Sequence, residues 1–229
     1  MHIHVPIGIQ AVKGGTVMTQ PCPADRRDKS EEILEAASSV FLTHGFSAAT
    51  TDMIQREARI SKATLYAHFP GKELLFTAVI ERECAAMTET MRNREPVSGD
   101  IACTLTDLGL SYLKTVLSPT GLSLFRVVVA DAPRFPELGR RFYLAGPRVI
   151  FDMVAERLAE AAKAGEIDIQ SVGLHTAAIL FVSLLRGEAQ MECLTHPEAA
   201  PSDEQRDRWA RLAVNTFLAA FARKPLAQA

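Results

Sequence analysis

The sequence is poor in the residues that β-sheet proteins, disulfide scaffolds and membrane proteins rely on. Aromatic side chains make up 7% of its 229 residues, and tryptophan occurs once. Glycine and proline are ordinary at 13 and 12. An all-β chain needs more aromatic, β-branched and turn residues than this, so that class is disfavoured. No excess of one charge exists: 25 Lys and Arg face 27 Asp and Glu, for a formal net charge of -2. Nucleic-acid binding, if present, must therefore come from a local patch rather than from bulk charge. Long apolar runs are missing too. The most apolar stretch, Ala177 to Leu185, is interrupted by Ser183 and falls far short of the roughly 20 residues of a membrane span.

Cysteine is scarce and scattered. Cys22, Cys84, Cys103 and Cys193 form no C-x-x-C pair and have no close histidine partner. A zinc site needs clustered ligands, so no metal and no cofactor are expected. Nothing signals secretion, so the thiols read as free in a reducing cytoplasm. A redox sensor would need an exposed thiol with a depressed pKa.

Residues 1–27 lack a helical apolar period and contain Pro6, Gly8, Gly14, Gly15, Pro21 and Pro23. They read as a disordered arm without the basic-then-apolar pattern of a signal peptide. His2 and His4 on such a tail are incidental. A second reading starts translation at Met18, and an intact mass that includes residues 1–17 excludes it.

From Asp28 onward Ala, Leu, Glu and Arg dominate, and the periodicity is helical. Asp28 with Glu31 makes a box-like helix start, and Ile33, Leu34, Ala37, Val40 and Phe41 fall on one face. Gly45 ends that helix just past Thr43. A short helix over about Asp52 to Ala58 is expected next, capped by Thr51. After a turn at Arg59-Ile60, Ser61 caps a third helix, Lys62 to Phe69, closed by Pro70-Gly71. A long helix follows from Lys72 to Arg92. Beyond a loop containing Pro96 and Gly99, the pattern predicts helices at about 101–117, 121–131, 136–144, 147–164, 171–193 and 203–223. The last carries a capping box, Ser202 with Gln205. The chain thus reads as all-α with nine to ten helices.

Two short helices joined by a tight turn are a helix-turn-helix candidate. In the second of them Leu65 and Phe69 form an inner i, i+4 pair. Lys62, Ala63, Thr64, Tyr66 and His68 lie outward, a set suited to phosphates and base edges in a major groove. The same pattern fits a solvated face of a small bundle. Four basic against two acidic residues between Thr51 and Lys72 do not separate the two.

The run Thr64-Leu65-Tyr66-Ala67-His68-Phe69, followed by Lys72 and Leu75 and preceded by Ala37, Phe41, Gly45 and Phe46, resembles the DNA-binding domain of TetR-family transcriptional regulators over roughly residues 28–80. The resemblance implies a double-stranded DNA operator as partner. It implies that Thr51 caps the second helix and reaches a phosphate, and that Lys62, Ala63 and Thr64 enter the groove. Tyr66 and His68 would touch the backbone, and Lys72 would hold a phosphate with its amine and helix N-terminus. The family commonly has glycine in the turn where this chain has Arg59. If that residue is left-handed, arginine costs about 1 kcal/mol relative to glycine. A phosphate contact by Arg59 would offset the strain.

Residues 81–229 then form the regulatory part. The segment Leu124 to Leu138, with Phe142-Tyr143 and Gly146-Pro147, is similar to the C-terminal domain of AefR-like members of that family. The similarity implies a helical domain that dimerises and binds a small effector, often in repressors of efflux genes. Candidate effector-pocket residues are Phe76, Met87, Tyr112, Phe125, Val128, Phe142, Tyr143, Phe151 and Phe181, although aromatics at helical spacing are more often core. Arg126, His175, Arg186 and Glu188 are polar groups beside apolar helices that either orient a ligand or pair and snorkel.

The helix around 172–185 is apolar nearly all round, so one stripe is expected to face a second copy together with the last helix. Leu174, Phe181, Leu185, Trp209, Ala213, Phe217 and Ala220 are the interface candidates in this isologous contact. A dimer also suits a palindromic operator, because a single short recognition helix reads few base pairs. Two other classes remain for comparison. An enzyme lacks support: Gly121-Leu122-Ser123-Leu124-Phe125 has no second glycine of a nucleophile elbow, and no phosphate loop or H-E-x-x-H exists. A helical interaction module without DNA contact is separated by salt dependence. The sequence does not decide between repressor and activator.

Overall fold

The computed structural model describes residues 23–92, 100–196, 198 and 200–223. Ten helices account for nearly all of them: α1 (Pro23–Ala48), α2 (Thr51–Ala58), α3 (Lys62–His68), α4 (Lys72–Arg92), α5 (Ile101–Val116), α6 (Pro119–Asp131), α7 (Pro136–Ala145), α8 (Pro147–Ala164), α9 (Leu174–Thr195) and α10 (Asp203–Phe221). The all-α reading is borne out. Among the described residues the one β feature is an isolated bridge, Ile167 to Ala222. No single helix among them is long and apolar enough to cross a membrane.

Local chemistry explains most boundaries. The hydroxyls of Ser61 and Ser118 and the carboxylate of Asp100 accept the first free backbone N–H groups of α3, α6 and α5. Ser202 and Gln205 form the expected capping box on α10. Two expected starts are corrected. Helix α1 begins at Pro23, so residues 23–27 belong to a helix and Asp28 lies inside it. Proline suits that first position because its missing N–H has no partner there anyway. The rest of the expected arm, with His2, His4 and Met18, lies outside the described residues. Helix α2 is capped by Thr50, whose Oγ1 accepts from Met53 N at 3.2 Å, and Thr51 is its first helical residue.

Two hydrophobic cores form. The first joins α1–α4 through Ile33, Phe41, Phe46, Ile54, Leu65 and Phe76, and it takes in Leu124, Val127 and Val128 of α6 and Leu138 of α7. Phe46 stacks on Phe76 at 5.1 Å and meets Phe135 edge-on at 4.7 Å. The second core packs α5, α8, α9 and α10 around Leu105, Leu113, Phe181 and Phe217. A boundary near residue 80 therefore divides the backbone but not the packing: α6 and α7 lie against the end of the molecule that carries the short helix pair. Ion pairs add to this. Arg82 of α4 holds Glu31 of α1 at 2.9 Å and Glu83 at 2.8 Å.

Gly45 breaks the ladder of α1 with φ 78° and ψ 162°, a conformation only glycine adopts cheaply. The break frees the N–H of Phe46 from the helix. The carboxylate of Asp131, at the end of α6, accepts it at 3.1 Å and accepts the Ser47 hydroxyl at 2.5 Å. Lys72 completes the junction by donating to the carbonyls of Phe46 at 2.8 Å and Ala49 at 3.0 Å.

Candidate functional site

The helix pair has the geometry its sequence called for. Arg59 is left-handed, with φ 53° and ψ 44°, and is the one non-glycine residue of positive φ among those described. Its N–H bonds Arg56 O at 3.3 Å, and Ile60 N bonds Gln55 O at 3.1 Å. This is a Schellman stop, which satisfies the last carbonyls of α2 and needs its pivot residue in the left-handed region. Ile60 then packs on the core and Ser61 starts α3. Leu65, 1% exposed, pins α3 to the core from below. The opposite face is open: Lys62, Ala63, Tyr66 and Ala67 are exposed, and Thr64 and His68 are half-buried.

The polar groups on that face differ in how free they are. Lys62 Nζ hovers 6.0 Å from the centre of the Tyr66 ring, a weak contact at an exposed site. Neither Lys62 nor Arg59 has a carboxylate partner among the described residues. Thr64 shares its hydroxyl with Ser61 at 2.8 Å, which orients both at the front of the helix. Lys72 does not join the expected phosphate-binding set with a free amine. Its ammonium serves the C-terminal carbonyls at the α1–α2 junction and lies 4.5 Å from the centre of the Phe46 ring. That is the usual place of a cation at a helix C-terminus. Thr51, half-buried as the first residue of α2, loses the capping role to Thr50.

A cavity of about 330 Å³ lies above this domain, between α4, α5, α6, α7, α8 and α9. It is within the size range of small-molecule sites. Seven expected residues line it: Met87, Tyr112, Phe125, Val128, Phe142, Tyr143 and Phe151. Two do not. Phe76 is fully buried among Phe41 and Phe46 in the first core. Phe181 packs edge-on against Phe217 at 5.4 Å in the second core, and its neighbour Val182 faces the cavity instead. Of the four polar candidates, Arg186 lines the cavity. Arg126 donates to Cys193 O at 2.7 Å and so closes the end of α9. His175 and Glu188 are exposed. Gln190, Thr88 and Cys84 escaped the sequence reading because a single polar residue on an amphipathic helix gives no periodic signal. Burial pushes the Cys84 thiol up to about 12, so it stays protonated and unreactive near neutral pH.

The expected partner face divides in two. Phe181 and Phe217 lie inside their own chain, within the α9–α10–α5 packing. Leu185, Trp209 and Ala213, although largely buried, floor a groove between α9 and α10 that Leu184, Leu212 and Thr216 flank. Leu174 and Ala220 remain exposed, joined by Leu180, Leu184, Met191 and Leu212. Leu180, Leu184, Gly187 and Met191 repeat at i, i+4, i+7 and i+11, one stripe along α9.

Comparisons with known proteins agree with this arrangement. Residues 33–79 match the family of bacterial regulatory proteins named for tetR, and residues 103–223 match the C-terminal domain of AefR-like transcriptional repressors. The HTH-type transcriptional repressor AcnR of Corynebacterium diphtheriae is 28% identical over 163 residues, covering 69% of this chain and 80% of that protein. The HTH-type transcriptional regulator UidR of Escherichia coli K12 is 30% identical over 140 residues, 59% of this chain and 67% of its own length. Among solved structures, the flavonoid-responsive regulator FrrA superposes with a TM-score of 0.74 at 31% identity, covering 87% of this chain and all of that one (100%).

Proposed function

This chain belongs to the TetR family of bacterial regulatory proteins, and on that footing we propose that it is a homodimeric cytoplasmic repressor that leaves a palindromic operator when a small effector fills the cavity above its helix-turn-helix. The observation that carries this reading is the sharing of one core: α6, whose Leu124 and Val128 line the cavity, packs with the helices that hold α3 in place. The cavity and the DNA-reading helix are thus two faces of one packed unit.

The mechanism is a population shift. Two arrangements of the dimer differ in the separation of their α3 helices. Operator favours one and effector favours the other. An effector that lowers operator affinity by some factor must itself bind less tightly by that factor when operator is bound. Two routes from the cavity reach the DNA end. Helix α4 carries Met87 and Thr88 at the cavity and Phe76 in the lower core. Helix α6 ends on Asp131, which bonds the backbone and side chain at the α1–α2 junction.

Fluorescence anisotropy on DNA flanking the protein's own gene tests the reading. Binding is expected to weaken steeply with salt, and Lys62→Ala is expected to reduce the slope of log K against log salt by about 1. Salt-independent binding, or none, removes the DNA reading. Arg59→Gly is expected to raise stability by about 1 kcal/mol, because the left-handed strain disappears. The same change is expected to weaken operator binding, and unchanged binding discards a phosphate contact by Arg59.

A further inference from the structure

The wall of the cavity is almost wholly apolar, and Arg186 is the one charged side chain that lines it. Its Nε donates to Gln190 Oε1 at 2.7 Å, and its guanidinium lies 5.6 Å from the centre of the Phe125 ring. These contacts hold the group in place. They leave its two terminal nitrogens without an acceptor among the described residues. Gln190 is 8% exposed and Tyr112 4% exposed, yet the Gln190 amide nitrogen and the Tyr112 hydroxyl also have no acceptor there. Burial raises the Tyr112 pKa, so its hydroxyl keeps its proton and remains a donor. One corner of an apolar cavity therefore holds a cation and two neutral donors that no acceptor among the described residues engages and that face the cavity's interior.

Open to solvent through the cavity, these donors are hydrated rather than stranded, and the apolar wall around them strengthens any charge-assisted bond they make. A ligand with a negatively charged oxygen satisfies all three at once. A cation would meet Arg186 at low dielectric and be repelled. We infer that the cavity takes an aromatic ligand bearing a single carboxylate or phenolate. Arg186 holds the charge, Gln190 and Tyr112 bond the same oxygens, and the ring system lies among Phe125, Phe142 and Phe151. This inference rests on the reading of the cavity as the effector site.

The test is calorimetry of the full-length protein with three probes of one ring system: 2-naphthoate, 2-naphthamide and 2-naphthylmethylammonium. The carboxylate is expected to bind at least about tenfold more tightly than the amide, as a charge-assisted hydrogen bond implies, and the ammonium not to saturate. Arg186→Gln is expected to bring the carboxylate down to the amide, leaving amide binding within about twofold. Arg186→Lys is expected to retain most of the preference, because the charge remains. Equal binding of all three probes, binding by none, or a uniform loss in Arg186→Gln with the preference intact overturns the inference; the last outcome makes Arg186 a packing residue. Operator affinity is measured in the same samples. If naphthoate binds as stated and operator affinity does not change, the ligand class stands and the effector reading falls.

Discussion

Glutamate at both 184 and 212 is expected to turn a dimer that grips its operator into a folded monomer that barely binds it. Leu184 and Leu212 are 43% and 58% exposed on adjoining helices, and with Leu180 and Met191 they form an apolar surface that a lone soluble chain seldom displays. Their substitution leaves the buried positions of α9 and α10 unchanged, because both side chains stand largely in solvent at the rim of the groove floored by Leu185, Trp209 and Ala213. Two facing copies would bring four glutamates into one desolvated contact, which like-charge repulsion forbids. Losing the second recognition helix removes the gain of linked half-sites, on the order of 100-fold or more in affinity. Gly187→Leu is a gentler control. Among the described residues, no atom beyond its chain neighbours and its own helix backbone lies within 4 Å of a Cβ built there, so the monomer accepts the leucine while a closely packed partner helix is pushed away. Sedimentation velocity and anisotropy read both variants. A dimer that survives them intact places the partner face elsewhere.

Asp131→Ala is expected to lower stability by about 2–4 kcal/mol, or roughly 4–16 °C in Tm for a chain of this size. The carboxylate is 7% exposed and is the acceptor for a buried backbone N–H that Gly45 has released from its helix. Removing it strands that donor and frees the exposed Ser47 hydroxyl to solvent. Asp131→Asn keeps one acceptor oxygen and is expected to fall between the two. The same bond ties the cavity wall to the α1–α2 junction, so effector-induced release of DNA is expected to weaken in Asp131→Ala at temperatures where it is fully folded. Thermal unfolding followed by operator binding with and without effector checks both effects. Unchanged Tm removes the structural role, and unchanged release leaves α4 as the transmitting element.

What could be read without coordinates is local in origin. Helices α4, α8 and α10 begin where their caps, prolines and periodicity put them, since backbone N–H groups at a helix start are satisfied by neighbours in sequence. The sequence does not distinguish Thr50 from Thr51 as the cap of α2, because two threonines stand side by side and only backbone angles tell which is extended. The left-handed Arg59 was legible as a departure from glycine, because a tight helix-to-helix turn demands that conformation of whatever residue is there.

The amino-acid order alone determined the helix content, the short helix pair and its exposed polar face. It did so because each depends on residues fewer than ten positions apart. The folded chain decided which apolar residues face the cavity, the interior or open solvent. Phe76, Phe181 and Trp209 carry the same periodic signal as Phe142 or Leu184, and only the neighbouring helices separate them. It also decided what the polar groups do: Lys72 caps a helix end, Asp131 receives a freed amide, and Arg186 lies over the Phe125 ring in the cavity wall. Those roles arise chiefly from partners distant in sequence, Phe46 for Lys72 and Asp131, and Phe125 for Arg186, which no local pattern encodes.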